Sequence, residues 1–423
     1  MANVVVVGAG LGGVSVAFEL REKLAKAHQI KVIGESAEFN FVPSNPWVAL
    51  GTRTREQVVM PIGDYFSKRG IHFSAAGVSA IDAQQKTLTL GDGSSQNYDY
   101  LVLCTGPKLA FEAVPGAGPD GYTQSICTVD HAVTAHDDFK KLVDKPGPVV
   151  IGALQGASCF GPAYEYVLSL EYELRKRKIR DQVPITFVTS EPYIGHMGLG
   201  GVGDSKGLME SKFREHGIQW ICNARAVKFE PGKAHFEELN RKGEVEFTHD
   251  LDFVHAMFLP PFKGSPAVAE VPELCNPKGF VLVDKYQRSP AYPEIYAAGV
   301  CVAIAPIEDT PVPVGAPKTG LMIESMTSAI VENIVAQLQQ QPIHSVPSLS
   351  ALCLADMGNT GMAFLAVPQN PPRNRNWTGS GRWVHWAKVA FEKYFMYKVK
   401  RGTSEPVYER ISLRFMGVKR LKE

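Results

Sequence analysis

Residues 4–35 read VVVVGAGLGGVSVAFELREKLAKAHQIKVIGE, which combines a buried strand, a glycine-rich turn, a helix and a second strand. The three fingerprint glycines are Gly8, Gly10 and Gly13. The first permits the tight turn, the second lets the backbone approach a pyrophosphate, and the third lets the helix pack on the sheet. We expect the helix to run to about His28, and Glu35 to bind a ribose hydroxyl. The pattern predicts an ADP-containing cofactor at a helix N-terminus, with an ordinary tight turn as the alternative.

Length and composition are those of a globular protein with more than one domain. The chain has 423 residues, of which 45% are hydrophobic and 21% charged, close to the globular average. Charge is unevenly distributed along the chain. Residues 373–423 contain 13 Lys and Arg against 4 Glu, whereas residues 1–372 contain 31 Lys and Arg against 39 Asp and Glu. The formal charges are therefore about +9 and −8. Such a basic end indicates an anionic partner, either a membrane surface or a nucleic acid.

Several kinds of segment are missing from the sequence. It has no run of about 18 apolar residues, so we expect no transmembrane helix. It begins directly with a strand, so we expect no cleaved signal peptide. The seven cysteines are scattered without CxxC or zinc spacing, so we predict neither a disulfide scaffold nor a metal site. One functional disulfide remains open.

Two further segments indicate which cofactor is bound. A predicted buried strand, 101–104, ends in Thr105 and Gly106 and resembles the second fingerprint of the glutathione-reductase-like flavoproteins. Residues 292–300, YPEIYAAGV, resemble the segment of that class that lies under the flavin ribityl chain, at Gly299 and Val300. Members of the class commonly have Asp where this chain has Val300, so a backbone N–H would have to make the contact. The resemblance implies FAD rather than NAD.

The same resemblance implies a fold and a division of the chain. The fold class is α/β, with two Rossmann-like dinucleotide-binding domains and a C-terminal amphipathic helical region that binds a membrane. The expected segments are 1–110 for the first part of the FAD domain, 111–290 for the second Rossmann-like domain with its linkers, 291–345 for the second part of the FAD domain, and 346–423 for the quinone- and membrane-binding region. The loop with Pro43 and Asn45 is expected to border the cofactor, or else to be an ordinary rigid connection.

The second Rossmann-like unit lacks an important feature of a nucleotide site. Residues 148–174, PVVIGALQGASCFGPAYEYVLSLEYEL, predict a strand, a glycine turn and a helix. Leu154 occupies the position of the second fingerprint glycine, where its side chain would obstruct a pyrophosphate. Cys159 stands near the start of the helix, where a nicotinamide ring would have to lie. The sequence therefore predicts the fold of an NADH site without its chemistry.

Three cysteines have settings that favour reactivity. Cys159 is predicted at a helix N-terminus, where the dipole stabilises a thiolate, although free cysteines are usually inert core residues. Cys127 precedes His131 by four residues, so one helical turn would place the thiol and the imidazole on the same face. Cys353 follows a proline-containing segment, whereas Cys222 has no such setting and is interpreted as structural.

Motifs along nearly the whole chain resemble the type I sulfide:quinone oxidoreductases. In family order they are FVPSNPWV, TGPKLAFE, SICTVDHA, GASCFGPAYEY, SEPYIGHMG, TPVPVGAPKTG and LADMG. The resemblance implies oxidation of hydrogen sulfide to polysulfide or elemental sulfur, with two electrons passing through FAD to a ubiquinone- or menaquinone-type quinone. It also implies that Cys159 and Cys353 form the redox pair, bridged directly or through extra sulfur, and that Cys127 is the family's third cysteine.

Proton transfer and flavin charge require further side chains. His131, His196 and Glu165 are candidate bases near the sulfur, although a lone histidine is more often structural. Lys318 and a helix that begins near Gly320 would place positive charge near the flavin pyrimidine. The alternative for Lys318 is a solvated loop charge.

Residues 383–400, WVHWAKVAFEKYFMYKVK, predict an amphipathic helix. Its aromatic face is interrupted by Lys398, and Lys388 and other lysines lie outside it. A helix in the membrane interface and a helix packed on its own domain both fit this pattern. The basic charge and the need to meet a lipid-soluble quinone favour a peripheral protein of the prokaryotic cytoplasmic membrane. No recognition motif supports nucleic-acid binding.

By resemblance, Phe391 and Tyr408 line the quinone pocket, and we expect a homo-oligomer. Two other functions fit parts of the pattern. A type II NADH:quinone dehydrogenase shares the fold, FAD and quinone, but Leu154 and Cys159 argue against it. A non-catalytic sulfur carrier or sensor would use Cys159 and Cys353 as a redox switch.

Overall fold

The computed structural model describes residues 1–404, 417 and 419–422, and its elements follow the predicted α/β order. The helices within these residues are α1 Leu11–Lys23, α2 Asn45–Ala49, α3 Arg55–Val58, α4 Gly63–Ser67, α5 Val129–Asp144, α6 Gly161–Lys176, α7 Ser205–Glu215, α8 Pro266–Ala269, α9 Gly320–Leu338 and α10 Arg382–Arg401. Short 3-10 turns lie at Val42–Ser44, Phe111–Ala113 and Arg180–Gln182. Tyr408, a predicted quinone residue, lies outside the described residues.

The strands of the first half are β1 Asn3–Val7, β2 Gln29–Ile33, β3 Glu38–Asn40, β4 Val59–Pro61, β5 His72–Ser74, β6 Val78–Asp82, β7 Thr87–Leu90, β8 Ser95–Asn97, β9 Tyr100–Leu103, β10 Lys108–Leu109 and β11 Val149–Ala153. Those of the second half are β12 Ile185–Thr189, β13 Ile218–Ile221, β14 Ala224–Glu230, β15 Lys233–Leu239, β16 Val245–Asp252, β17 His255–Leu259, β18 Phe262–Lys263, β19 Ile295–Ala297, β20 Ala351–Asp356, β21 Gly361–Val367 and β22 Arg375–Ser380.

The first sheet joins segments from the two ends of the FAD-binding region. Its five strands are parallel in the order β19-β9-β1-β2-β5. The valines of β1 are buried in the centre of the sheet, as a parallel strand covered on both faces requires. Strand β19, far along the chain, pairs with β9, and α9 packs against α1. The second half of the unit therefore returns after an insertion.

The first helix is shorter than the sequence predicts. It ends at Lys23 instead of near His28, because Leu24 is already extended. The Arg21 guanidinium donates hydrogen bonds to the carbonyl oxygens of Leu24, Ala25 and His28. These bonds satisfy carbonyl groups that a longer helix would have paired internally.

The insertion contains a second parallel sheet with the order β13-β12-β11-β17. Helix α6 follows β11, as the second Rossmann-like unit predicts. Leu154 is buried in a core cluster beside this sheet, and it does not line the large cavity of the molecule. Leu154 therefore packs in this core, and the expectation that its side chain would obstruct a pyrophosphate stays a prediction.

The C-terminal region contains a sheet that the sequence analysis does not predict. Strands β20, β21 and β22 are antiparallel neighbours, and α10 packs against the first two. Helix α10 buries polar residues and exposes aromatic ones: Lys388 is 4% exposed and Trp386 is 64% exposed. Lys388 lies outside the aromatic face, as predicted, but it is buried because a buried carboxylate pairs with it. Within the described residues, no helix has both the length and the apolar character that a membrane crossing requires.

Candidate active site

A cavity of about 1410 Å³ is lined by residues from all four predicted segments of the chain. The predicted site residues on its wall are Gly8, Gly10, Glu35, Pro43, Thr105, Gly106, Cys127, Cys159, Glu165, Gly299, Val300, Lys318, Gly320, Cys353 and Phe391. The predicted residues that do not line it are Gly13, Asn45, His131 and His196. Residues distant in sequence therefore meet around one space, which is large enough for a dinucleotide and a second ligand.

The glycine fingerprint forms one end of this cavity. Gly8 has a φ of +111°, and a Cβ there would lie 2.1 Å from the carbonyl oxygen of Cys104, so only glycine fits the turn. A Cβ on Gly10 would meet no atom within 4 Å. A Cβ on Gly13 would lie 1.8 Å from the carbonyl oxygen of Gly8, which explains why Gly13 packs instead of lining the cavity. The open space at Gly10 and the uncapped start of α1 fit a pyrophosphate.

Glu35 lies on the cavity wall at the end of β2, as the ribose interpretation requires. Its carboxylate forms an ion pair with Lys108 at 2.8 Å, and both side chains are exposed. Sequence analysis missed Lys108, which is 73 residues away. The position of Glu35 fits a carboxylate that binds ribose hydroxyls at the solvent edge of the site.

The start of α9 forms a second anion-binding end. Thr319, its N-cap residue, has a buried hydroxyl oxygen with no hydrogen-bond partner among the described residues. A Cβ on Gly320 would meet no atom within 4 Å. The Lys318 ammonium lies 4.8 Å from the centre of the Phe280 ring, and burial lowers its pKa to about 8. Lys318 is thus partly buried on the cavity wall and is not a solvated loop charge. These residues fit the electron-rich end of FAD.

Asn45 does not reach the cavity that was predicted for it. Its side chain is fully buried and donates a hydrogen bond to the carbonyl oxygen of Ile126 at 3.1 Å. It also accepts one from Asn40 at 3.2 Å. Asn45 therefore holds the segment that precedes Cys127, while Pro43 of the same loop lines the cavity.

Cys127, Cys159 and Cys353 all line the cavity although they come from distant segments. A Cβ on Gly161, the first residue of α6, would lie only 3.1 Å from the Sγ atom of Cys353. Glycine at this position therefore lets the Cys353 sulfur lie against the start of the helix that follows Cys159. All seven cysteines are free thiols in the structure.

Burial, rather than the helix dipole, dominates the acidity of these thiols. The pKa of Cys159 is raised to about 12, mainly by burial and to a smaller extent by the charges of Cys353 and Cys127. Burial raises the pKa of Cys353 and of Cys127 to about 11 each. The prediction of a stabilised Cys159 thiolate is wrong for the reduced protein, because desolvation outweighs the dipole.

His131 and Cys127 are not on the same helical face. Cys127 precedes α5, whose N-cap residue Thr128 accepts a hydrogen bond from the backbone N–H of His131 at 3.1 Å. The His131 ring packs edge-on against Phe111, and burial lowers its pKa. The predicted pairing of thiol and imidazole is therefore wrong, since Cys127 lies outside the helix.

His196 lies behind the cavity wall. It is fully buried, and the backbone N–H of Gly198 donates to its Nδ1 atom at 3.1 Å. Its Nε2–H therefore donates to the Glu308 carboxylate at 2.7 Å. Burial lowers the pKa of His196, and Glu308 opposes that shift. The neighbouring Met197 lines the cavity, so His196 positions the wall without facing the space.

Glu165 is the candidate base that the structure places on the wall beside Cys353. It is buried and forms an ion pair with buried Lys388 of α10. The pKa of Glu165 is raised to about 7, because burial and the charge of Asp356 outweigh the lowering effect of Lys388. A carboxyl group with this pKa both accepts and releases protons at neutral pH. Sequence analysis missed the pairing of Lys388 with Glu165. The available signal was a lysine next to an otherwise apolar stripe.

Aromatic side chains form the remaining wall of the cavity. Phe391 lies with its ring centre 5.7 Å from that of Phe41 and 6.1 Å from that of Phe395. Phe391 is also 37% exposed, so the cavity reaches the protein surface along α10. An aromatic slot open at the surface fits a flat, apolar ligand.

Comparisons with known proteins give a consistent result. Residues 2–329 match the pyridine nucleotide-disulphide oxidoreductase family. The sulfide-quinone reductase of Aquifex aeolicus is 43% identical over 409 residues, which cover 96% of this chain and 93% of that protein. The X-ray structure of the sulfide:quinone oxidoreductase from the same bacterium matches 98% of this chain and 95% of its own, with a TM-score of 0.94. An NADH dehydrogenase-like protein of Mycobacterium tuberculosis is 24% identical over 375 residues, which cover 86% of this chain and 88% of that protein.

Proposed function

We propose how thiols, cofactor and C-terminal helix cooperate in this chain, which belongs to the sulfide:quinone oxidoreductases of the pyridine nucleotide-disulphide oxidoreductase family. The enzyme contains FAD and oxidises sulfide with quinone as the electron acceptor. The alternative of a type II NADH dehydrogenase is less supported, because the corresponding identity is only 24%. In this proposal, side chains on the wall of the large cavity carry the reaction.

Cys159 and Cys353 are the redox pair of this proposal. The observation that carries it is the contact of the Cys353 sulfur with the start of α6, two residues after Cys159, inside the shared cavity. Reduced thiols with pKa values near 11 and 12 are poor nucleophiles at neutral pH. A bridged pair requires neither thiol to ionise, because an external hydrosulfide attacks the disulfide. The resting pair is therefore bridged, and dissolved hydrosulfide is the nucleophile.

Hydrosulfide attacks one sulfur of the bridge and the sulfur–sulfur bond breaks. One cysteine then carries a persulfide and the other leaves as a thiolate. We assign the thiolate to Cys353, because its pKa of about 11 lies below the value of about 12 for Cys159. Glu165 takes the proton of the persulfide, since its own pKa is about 7. FAD, held by the fingerprint turn at Gly8 and Gly10 and by the start of α9, would supply the two-electron chemistry between the thiols and quinone.

The charge developed during reduction is stabilised by Lys318 and the start of α9. Lys318 retains its proton below a pKa of about 8, and an adjacent anion raises that value. The unpaired hydroxyl of Thr319 and the backbone N–H groups of the first helical turn provide further donors. Lys318, Thr319 and the first turn of α9 would bind the electron-rich end of the cofactor before it is reduced. These groups therefore need not reorganise during reduction.

Quinone reaches the cavity from a membrane surface in this proposal. The aromatic surface of the C-terminal region consists of Trp377, Trp383, Trp386, Phe391 and Tyr397, all exposed. Lys393 and Lys400 lie exposed on the same helix. Tryptophan and tyrosine favour the membrane interface, and lysines favour anionic headgroups. Phe391 belongs both to this surface and to the cavity wall, which supports a quinone entrance in the interface. The homo-oligomer and the four-segment division stay predictions.

An anaerobic sulfide titration of the flavin spectrum tests the redox pair. We expect that Cys159→Ala and Cys353→Ala each abolish sulfide-dependent flavin reduction and turnover, while Cys222→Ala retains both. Cys222 is the matched control because it is partly buried but does not line the cavity. Near-normal sulfide oxidation by either of the first two variants would refute the bridge. Rapid bleaching by NADH but not by sulfide would instead favour the dehydrogenase alternative.

A further inference from the structure

A second, smaller cavity of about 230 Å³ lies at the junction of α10 with β20. Asp356 and His385 line it, together with the exposed Trp386. Arg53 and Glu173 also line it, and Arg53 is paired with Glu392. The cavity therefore offers a polar route from the surface toward residues of the active site.

Asp356 is the centre of a polar cluster at this cavity. Its carboxylate accepts hydrogen bonds from His385 Nδ1 and from the indole N–H of Trp47, both at 2.8 Å. The Asp356 side chain is 2% exposed, whereas that of His385 is 23% exposed. The His385 imidazole therefore connects the buried Asp356 carboxylate with water, because the ring is hydrogen-bonded to the carboxylate and is itself partly exposed.

The cluster continues to the active site through Lys388. Lys388 follows His385 by three residues on α10, so both project from one side of the helix. Its ammonium pairs with Glu165 and lies 5.0 Å from the centre of the Trp47 ring, whose N–H binds Asp356. The charge of Asp356 also acts on the pKa of Glu165. Lys388 therefore pairs with one buried carboxylate and lies over the ring that binds a second one, on a flexible four-carbon stem.

The overall reaction requires a proton from solvent. Oxidation of one hydrosulfide ion to sulfane sulfur releases two electrons and one proton. Reduction of a quinone to hydroquinone consumes two electrons and two protons. One proton must therefore enter the protein in each turnover, although aromatic residues form much of the quinone side of the cavity.

We propose that His385, Asp356 and Lys388 form a proton-uptake path that carries this proton from the second cavity to Glu165. His385 takes a proton from water at Nε2 and passes its Nδ1 proton to Asp356. Lys388 gives a proton to Glu165 and is reprotonated by Asp356, so each step moves one proton and no electron. Glu165 then delivers the proton to the active-site cavity. This inference rests on quinone as the electron acceptor.

Stopped-flow measurement of the two half-reactions tests the path with His385→Gln. We expect quinone-dependent flavin reoxidation to slow roughly tenfold, and sulfide-dependent reduction to stay within about twofold of the wild-type rate. Added imidazole restores reoxidation because it enters the second cavity. His72→Gln is the control, since His72 is exposed on β5, away from both cavities. Equal slowing of both half-reactions without imidazole rescue would indicate a structural role and overturn the proposal.

Infrared spectroscopy gives a second readout that needs neither sulfide nor quinone. Below pH 7 the protonated Glu165 carboxyl gives a carbonyl band, which Glu165→Gln identifies by its loss. On transfer to heavy water, we expect this band to exchange roughly tenfold more slowly in His385→Gln and in Asp356→Asn than in wild type. Unchanged exchange in both variants would overturn the path. Because the cysteines take no part in this exchange, its failure is distinguishable from failure of the thiol mechanism.

Discussion

Replacement of Lys388 by Met isolates the effect of the buried charge beside Glu165. The two side chains pair with each other, and both residues are only 4% exposed. Met removes the ammonium while keeping most of the apolar stem. The ammonium lowers the pKa of Glu165, which burial has raised to about 7. Without it, we expect that pKa to rise toward about 9, a value documented for fully buried carboxyl groups.

The sign of the stability change follows from proton linkage. The folded pKa of Glu165 exceeds its unfolded value of 4.5, so folding becomes less favourable as pH rises from 4.5 to the folded pKa. In wild type this loss is complete near pH 7, whereas in Lys388→Met it continues to about pH 9. Each pH unit contributes about 1.4 kcal/mol. The additional destabilisation should therefore be small at pH 6 and about 3 kcal/mol at pH 9.

Urea unfolding of the holoenzyme at pH 6 and pH 9, followed by flavin fluorescence and circular dichroism, measures this difference. Lys393→Met is the matched control, because Lys393 is an exposed residue of the same helix. We expect the control to lose little stability at either pH. A loss in Lys388→Met that is equal at the two pH values, or a similar pH-dependent loss in the control, would refute the reasoning.

Three further substitutions test other parts of the site. Gly161→Ala places a Cβ 3.1 Å from the Cys353 sulfur. It should slow sulfide-dependent flavin reduction roughly tenfold in stopped flow, while the bound flavin is retained. An unchanged rate would contradict the contact. Gly8→Ala places a Cβ 2.1 Å from the carbonyl oxygen of Cys104. The purified variant should lack FAD, as measured by its absorbance spectrum. Full flavin content would contradict the proposed turn. Trp386→Ser should weaken sedimentation with anionic vesicles but leave reduction of a short-chain, water-soluble quinone unchanged, since Trp386 is exposed outside the main cavity. Equal vesicle binding would contradict the membrane surface.

The features that sequence analysis predicted correctly depend on short, local patterns. The valines and glycines of residues 4–13 determine a strand and a turn within a few residues of each other. The segments at 101–106 and 292–300 have equally local patterns, and their strands β9 and β19 do pair. The three cysteines carry a family pattern, which led to the correct wall of the cavity. In each case the decisive residues lie within short continuous motifs, one for each cysteine.

The features that it missed depend on partners far apart in the chain. Lys388 is buried because it meets Glu165, 223 residues earlier, and no pattern within α10 contains that carboxylate. Strands β20 and β21 form a sheet around Cys353 in which alternation is obscured because both faces are largely covered, whereas β22 is mostly exposed. The Cys159 thiolate was predicted from a local dipole, but desolvation by the whole cavity decides its pKa.

Helix α10 takes part both in the buried Lys388–Glu165 pair and in the aromatic surface of the C-terminal region. A helix that only packed on its own domain would bury Trp386 and expose Lys388, but this helix does the opposite. The buried side places Lys388 beside Glu165 and His385 beside Asp356, whereas the exposed side presents aromatic rings. Burying a charge is costly unless a partner and a function retain it. In the two proposals, the outer face of this helix meets the membrane from which quinone enters and its inner face conducts the proton, which would account for the buried charges and the exposed aromatic rings.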